Sequence, residues 1–267
     1  MVTRQNPRST PRVTLELDDV TVGYRRRRVI ENFTTEPVHG GHVVGLLGPN
    51  ASGKSTLIKA IAGVHRTTGG RLRATVEGRV HEGRDLRRVI GYVPQDLPDT
   101  AALTAFETVL VAARRACSVK ITGTPAVELA SRVMTELSIG DLARRYISEL
   151  SGGQRQLTAV AQMMVSDPDV MLLDEPTSAL DLHRQLFLLD VIRRRARETG
   201  AVALTAIHDI NLAARFCDEL LVMRGGRVIA QGAPRTVLTP GLLSEVYGVD
   251  AEILDHGGVP VVAPVAG

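Results

Sequence analysis

Gly48-Pro49-Asn50-Ala51-Ser52-Gly53-Lys54-Ser55-Thr56 is the stretch on which the reading of this chain turns. It has the spacing of a phosphate-binding loop and sits where a strand hands over to a helix. Val43-Val44-Gly45-Leu46-Leu47 before it reads as a buried parallel strand, and Leu57-Ile58-Lys59-Ala60-Ile61 after it continues as a helix with an apolar face. Glycines at 48 and 53 let the backbone curl with its N–H groups pointing inward, and the helix that opens at Lys54 adds the positive end of its dipole. Phosphate oxygens belong in such a concavity. Lys54 is placed to reach the β- and γ-phosphates of a nucleoside triphosphate, and the Ser55 hydroxyl to take one position around Mg²⁺.

Composition narrows the class of protein. A chain of 267 residues can bury a sizeable core, as one large domain or one domain with a small appendage. With a net charge of +3 and only 3 % aromatic residues, no Lys/Arg stripe interleaves with aromatics, so no nucleic-acid partner is expected. The densest basic run, Arg25-Arg26-Arg27-Arg28, lies between two strand-like segments and reads as a solvated hairpin tip. Cys117 and Cys217 stand far apart and form no metal-ligand spacing, which fits a reducing cytoplasm. No apolar run approaches the roughly 18 residues of a membrane-spanning helix, and the start at Met1-Val2-Thr3-Arg4 lacks the apolar core of a signal peptide. Any membrane role is therefore expected to come through a partner.

Along the chain, residues 1–12 are polar and are expected to be disordered. Val13 to Leu17 alternates as a half-exposed strand, and Val20 to Tyr24 is another strand or its continuation. Gly69-Gly70 is expected to be a turn, followed by short strands up to Val93. Phe106 to Ala116, Ala126 to Leu137 and Gln154 to Val165 carry helical spacing, which makes residues of about 96–165 a helical subdomain. Val170-Met171-Leu172-Leu173 and Ala201 to Ile207 read as buried strands with a helix from Leu182 between them. This alternation implies an α/β fold with a parallel sheet wrapped on both faces. Leu220 to Met223 and Arg227 to Ala230 flank Gly225-Gly226, a hairpin signature.

Phosphoryl transfer also needs a carboxylate on the metal side and a group to orient the attacking water. Asp174 and Glu175 follow the apolar strand 170–173, which puts them at its carboxyl end beside the phosphate loop, where a doubly wound sheet collects its ligands. Asp174 is the candidate Mg²⁺ carboxylate and Glu175 the general base. Further on, Leu150-Ser151-Gly152-Gly153-Gln154 opens a helix, with Ser151 as N-cap and two glycines that permit close backbone approach. That is a second helix terminus suited to an anion.

With Glu149 before it and Arg155 after it, this pentapeptide is far more specific than the phosphate loop. The chain resembles, over residues 13 to 250, the ATP-binding subunit of an ATP-binding cassette (ABC) transporter, a P-loop NTPase with a parallel core, an antiparallel β subdomain and a helical subdomain. The resemblance implies roles for further residues. Gln95, in Tyr92-Val93-Pro94-Gln95, matches the glutamine loop that senses Mg²⁺ and touches the membrane partner, and Asp96 and Glu107 beyond it are expected to share that contact. Ser178-Ala179-Leu180-Asp181 matches the loop that crosses the subunit boundary, His208 the switch histidine on the γ-phosphate, and Tyr24 the aromatic residue that stacks on adenine. It further implies a head-to-tail dimer in which Ser151, Gly152, Gly153 and Gln154 complete the site of the opposite subunit. The partners implied are ATP, integral-membrane permease subunits, a second cassette, here an identical chain, and indirectly a substrate-binding protein, at the cytoplasmic face of the membrane.

The tail Leu243-Ser244-Glu245-Val246-Tyr247-Gly248-Val249-Asp250, with Glu252-Ile253-Leu254 and Val259-Pro260-Val261-Val262, is similar to the end of ATPases serving iron-siderophore, haem and cobalamin importers. Thr104 to Val109 is similar to the same group. The cassette is expected over 13–232, with 233–267 a C-terminal extension packed on it that leaves no room for a sugar-importer regulatory domain. A shorter, Arg/Gly-rich segment between Gly70 and Gln95 departs from that group. A zinc or manganese importer ATPase, an exporter ATPase with a separate membrane subunit, and a non-transport cassette stay open as alternatives.

Overall fold

The computed structural model describes residues 12–24, 27–97, 102–119 and 124–265. The expected disorder of residues 1–12 lies outside them except at Arg12, which pairs with Glu77 and Asp169, and of the expected hairpin tip Arg25 to Arg28, residues 25 and 26 lie outside while Arg27 and Arg28 pair with β1. In chain order the elements are β1 (Val13–Tyr24), β2 (Arg27–Phe33), β3 (Val38–His39), β4 (Val43–Leu47), α1 (Lys54–Ile61), β5 (Thr67–Val76), β6 (Arg79–Glu82) and β7 (Ile90–Val93). Three helices follow, α2 (Ala105–Val119), α3 (Ala126–Glu136) and α4 (Gly152–Met164). The second half of the core runs β8 (Val170–Asp174), α5 (Leu182–Thr199), β9 (Val202–Ala206), α6 (Ile210–Phe216), β10 (Glu219–Arg224) and β11 (Arg227–Gly232). The chain closes with α7 (Pro234–Val237), α8 (Pro240–Tyr247), β12 (Ala251–His256) and β13 (Val259–Pro264).

Every residue of β4, β8 and β9 is buried, because these apolar pentapeptides lie in the middle of a six-stranded sheet ordered β11-β10-β4-β9-β8-β7. Alternate side chains feed opposite faces. Val43 and Leu47 of β4 join the core that holds α2 to α6, while Val44 and Leu46 join a second core shared with α1 and the antiparallel sheet. All strand pairs from β10 to β7 are parallel, and only the β10–β11 hairpin, turned by Gly225 and Gly226 at positive φ, is antiparallel.

Register decides where the site falls. Leu46 and Asp174 both pair with Ala206, and Val93 pairs with Leu173. The loops that leave β4, β7, β8 and β9 therefore emerge at one end of the sheet, and they carry Gly48 to Gly53, Gln95, Glu175 and His208. The three middle helices pack on one another, and α4 on β7, with Val109, Ala113, Val133, Leu157 and Ala161 in the shared core.

The five-stranded antiparallel sheet, β2-β1-β5-β6 with β3 on β1, corrects one expectation. Gly69-Gly70 is not a turn but lies inside β5, where the β1 register slips between Asp18 and Thr21. Gly70 has φ +77°, Asp19 opposite has φ +52°, and a Cβ on Gly70 would stand 2.2 Å from the Asp19 carbonyl oxygen. A β-bulge and a turn both call for glycine, so residue type alone does not separate them. The Gly70→Ala variant is expected to lose about 1–3 kcal/mol of stability, through left-handed strain plus the backbone clash, as read by urea denaturation.

Candidate functional site

The loop between β4 and α1 closes through its own backbone. Gly48, Ala51 and Gly53 take positive φ (147°, 62° and 105°), and Ser52 donates its N–H to the Pro49 carbonyl at 3.2 Å. Gly48 must be glycine for space as well, since a Cβ there would lie 2.2 Å from the carbonyl oxygen of Met223. Lys54, only 5 % exposed, turns its ammonium inward and donates to the carbonyls of Gly48 at 2.6 Å and Pro49 at 3.2 Å. Burial lowers its pKa, against the opposing pull of Glu175 and Asp174.

Across from it, Asp174 is fully buried and accepts a hydrogen bond from the Ser55 hydroxyl at 2.9 Å. Burial raises its pKa, and the Ser55 bond and the charges of Lys59 and Lys54 work the other way. Its second oxygen, Oδ2, is buried and meets no hydrogen-bond donor among the described residues, as does the Ser52 hydroxyl at the loop. A buried carboxylate oxygen and a bound hydroxyl are an oxygen-only donor set of the kind that suits Mg²⁺. The next residue, Glu175, has φ +54°, a strained backbone at the strand end of the sort that collects at functional sites. Its two carboxylate oxygens are held separately. Oε2 accepts from the Gln95 amide at 2.8 Å, and Oε1 lies 2.6 Å from His208 Nε2. A hollow of about 120 Å³ opens beside them, lined by Glu175, Ser178 and His208 among others.

The fold thus gathers Lys54, Ser55, Gln95, Asp174, Glu175 and His208. The other sequence-selected residues fall elsewhere. Pro49, Asn50, Ala51 and Thr56 belong to the loop and the first turn of α1. Tyr24 ends β1 beside Arg27, and its side chain lies outside the described atoms. Ser151 caps α4 by accepting from the Gln154 N–H at 3.3 Å, while Gln154 Oε1 accepts from the Ser151 N–H at 2.9 Å. The Gln154 side chain thus takes part in a capping box. The Asp181 carboxylate accepts from the Arg184 N–H at 2.9 Å and caps α5. Glycines 152 and 153 point their missing side chains at Ala179 and Leu180 and not at the chain's own phosphate loop.

Sequence reasoning gave no role to Tyr92, whose buried hydroxyl lacks a partner among the described residues and whose pKa is pushed up to about 12 by burial and by Asp174 and Asp96. Nor did it give one to Asn211 or Gln185. The only sequence signal for these is strand and helix phase, which says that a residue faces inward but not what it meets.

The ABC transporter family model matches residues 32–178, and the chain belongs to that family as an ATP-binding and ATP-hydrolysing subunit. Among its relatives, the ferric enterobactin transport ATP-binding protein FepC of Escherichia coli is 32 % identical, over 93 % of this chain and 93 % of its own. The hemin import ATP-binding protein HmuV of Hahella chejuensis is 36 % identical, over 89 % and 93 %. A dimeric post-hydrolysis structure of the cassette MJ0796 bound to ADP and Pi superposes with a TM-score of 0.73 at 26 % identity, covering 83 % of this chain and 99 % of that one. ABC ATPases dimerise and work with membrane permeases, and among the described residues no helix is long and apolar enough to cross a membrane.

The raised pKa of Asp174 has a sign that can be tested. A carboxyl whose folded pKa lies above its unfolded value loses stability as pH rises from the unfolded pKa through the folded one. In nucleotide-free protein, Asp174→Asn is expected to raise the melting temperature by about 2–4 °C at pH 7.5. That gain should vanish as pH falls below about 4, the ordinary aspartate range. Calorimetry across pH checks both.

Proposed function

We propose that residues 48–56 bind the phosphates of Mg-ATP and that the chain powers import of a ferric siderophore or a related haem or cobalamin compound. The observation that carries the nucleotide reading is the buried, half-satisfied Asp174 carboxylate facing Ser55 and Lys54. What supports the substrate reading is likeness to FepC and HmuV along most of the chain, including the tail.

In this reading Lys54 leaves the Gly48 and Pro49 carbonyls for the β- and γ-phosphates, and loop N–H groups take further phosphate oxygens. Ser55, Asp174 and Gln95 hold the metal, which when bound neutralises charge between the phosphates. Glu175 accepts a proton from the attacking water. His208 and Gln95 hold the two oxygens of that carboxylate in the nucleotide-free state, so the base is aimed before substrate arrives. Tyr24 stacks on the adenine. Ser151, Gly152 and Gly153 of a second copy of the chain close over the γ-phosphate, because the chain's own α4 terminus faces its Ala179 loop.

We divide the chain into a cassette (13–232) with a helical subdomain (about 96–165) and an extension (233–267), working at the cytoplasmic face of the membrane. The permease docks in a groove of about 640 Å³ between the Gln95 loop and helices α2 and α4, lined by Arg87, Arg88, Tyr92, Pro94, Ala112 and Met163 among others. Glu107, expected from the sequence to touch the permease, accepts from both the N–H and the hydroxyl of Thr104 at 2.8 Å and so serves as part of the α2 cap. The cationic rim at Arg87 and Arg88 points to an acidic coupling segment on the permease.

Lys54→Ala is expected to weaken ATP binding by about ten- to a hundredfold, the loss of a charge-assisted contact, whereas Glu175→Gln should bind normally and not turn over. Equal loss of binding in both by calorimetry would make Glu175 a structural residue. Arg88→Glu should reduce the permease recovered with the cassette from detergent and leave ATP affinity unchanged. The substrate reading is tested by uptake of radiolabelled ferric siderophore in cells carrying wild type or Glu175→Gln as the sole copy. Loss of uptake in the variant is expected, and equal uptake contradicts the iron assignment.

A further inference from the structure

The turn that follows Glu175 is clamped by a residue that the catalytic account leaves unused. Glu175 keeps a left-handed backbone, φ +54°, although it carries a long side chain. Such a conformation is costly and persists only where the surroundings over-determine it. The hydrogen bonds of residues 175–185 supply that constraint. The Glu175 carbonyl accepts from the Ser178 N–H at 3.3 Å and from the Ser178 hydroxyl at 3.1 Å. Two residues on, the Thr177 carbonyl accepts from the Leu180 N–H at 3.1 Å.

Gln185, half-buried as the fourth residue of α5, closes this turn from the helix. Its backbone N–H donates to the Asp181 carbonyl at 2.9 Å, and its side chain folds back toward the helix N-terminus, as long side chains on a helix do. There Nε2 donates to the Thr177 carbonyl at 3.2 Å and to the Leu180 carbonyl at 3.0 Å. A primary amide has two N–H groups, and both are used on carbonyls that bracket Ser178 and Ala179.

The clamped turn joins two parts of the site. It begins at Glu175 itself, and Gln185 lines the same hollow as Glu175 and His208. Its far end is the surface on which α4 starts, since a Cβ on Gly153 would lie 2.7 Å from the Ala179 carbonyl oxygen and 3.0 Å from Leu180 Cδ2. Gln95 and His208 hold the Glu175 side chain, whereas Ser178 and Gln185 hold the backbone that carries it.

We propose that Gln185 is a positioning residue for ATP hydrolysis: its amide locks the turn of residues 175–181, and through it the strained backbone that aims Glu175 at the attacking water. The inference rests on the reading of Glu175 as the general base. Without the amide the turn relaxes and the carboxylate loses its aim, while Lys54 and Ser55, on a different loop, keep their hold on the phosphates and the metal. The effect therefore falls on the chemical step and not on affinity.

Gln185→Met keeps the length of the side chain and removes both donors. Gln185→Glu keeps its shape and sets a carboxylate oxygen against the two carbonyls. In steady-state hydrolysis of Mg-ATP, Gln185→Met is expected to lower kcat about five- to twentyfold, the share of two neutral hydrogen bonds, and Gln185→Glu at least as much. KM, and Mg-ATP affinity by calorimetry, should stay within about twofold of wild type. If wild type hydrolyses ATP, Glu175→Gln does not, and Gln185→Met turns over at the wild-type rate, the positioning role is overturned while the base stands. A loss of ATP affinity in step with kcat also overturns it, since the amide then supports the site as a whole. Wild-type turnover that survives Glu175→Gln overturns both readings. Where Gln185→Met fails to fold, as its melting transition shows, Gln185→Glu decides, and a wild-type kcat in that variant removes the role.

Discussion

Two opposite charges taken out of water at the end of one parallel sheet organise this molecule. Lys54 and Asp174 enter from different halves of the chain, are both buried, and are both shifted toward their neutral forms by burial. Neither is fully paired within the protein: the ammonium rests on loop carbonyls and one carboxylate oxygen has no donor among the described residues. Removing charge from water costs several kcal/mol unless it is compensated. In our reading of the site as one for phosphate and a divalent cation, the nucleotide-free protein stores part of the binding energy these would release, and the buried β4, β8 and β9 hold the two charges in register.

That register also explains how separate motifs become one site. Pairing of both Leu46 and Asp174 with Ala206, and of Val93 with Leu173, brings four loops to the same sheet end, so the phosphate loop, the acidic pair, the glutamine and the histidine converge although three helices separate β7 from β8. Glu175 gains most from this. It sits in a left-handed backbone conformation with a separate partner on each oxygen, and a flexible carboxylate becomes an aimed one.

Much of this was legible in the chain itself. The apolar runs 43–47 and 170–173 read as buried strands because a strand covered on both faces has no polar alternation to preserve, and the Gly48 to Thr56 spacing placed the loop between strand and helix. Less legible was where side chains are spent locally. Gln154, Asp181 and Glu107, read as contacts for ligand or partner, each also satisfy a backbone N–H at the start of a helix, a use that polar residues at such positions share with binding. Gly69-Gly70 misleads for a related reason, since glycine answers the demand for positive φ in a turn and in a bulge alike. Asn211 meets a partner far away in the chain, Val262, and local periodicity carries no information about such a pairing.

The N-terminus of α4 is a capped helix end whose two glycines lie against Ala179 and Leu180. In our reading a second copy supplies this element, and the most direct measurement is the mass in solution, by light scattering, of the Glu175→Gln variant in saturating Mg-ATP. Twice the monomer mass, returning to the monomer when ADP replaces ATP, is the predicted result. A particle that stays monomeric with ATP bound contradicts it.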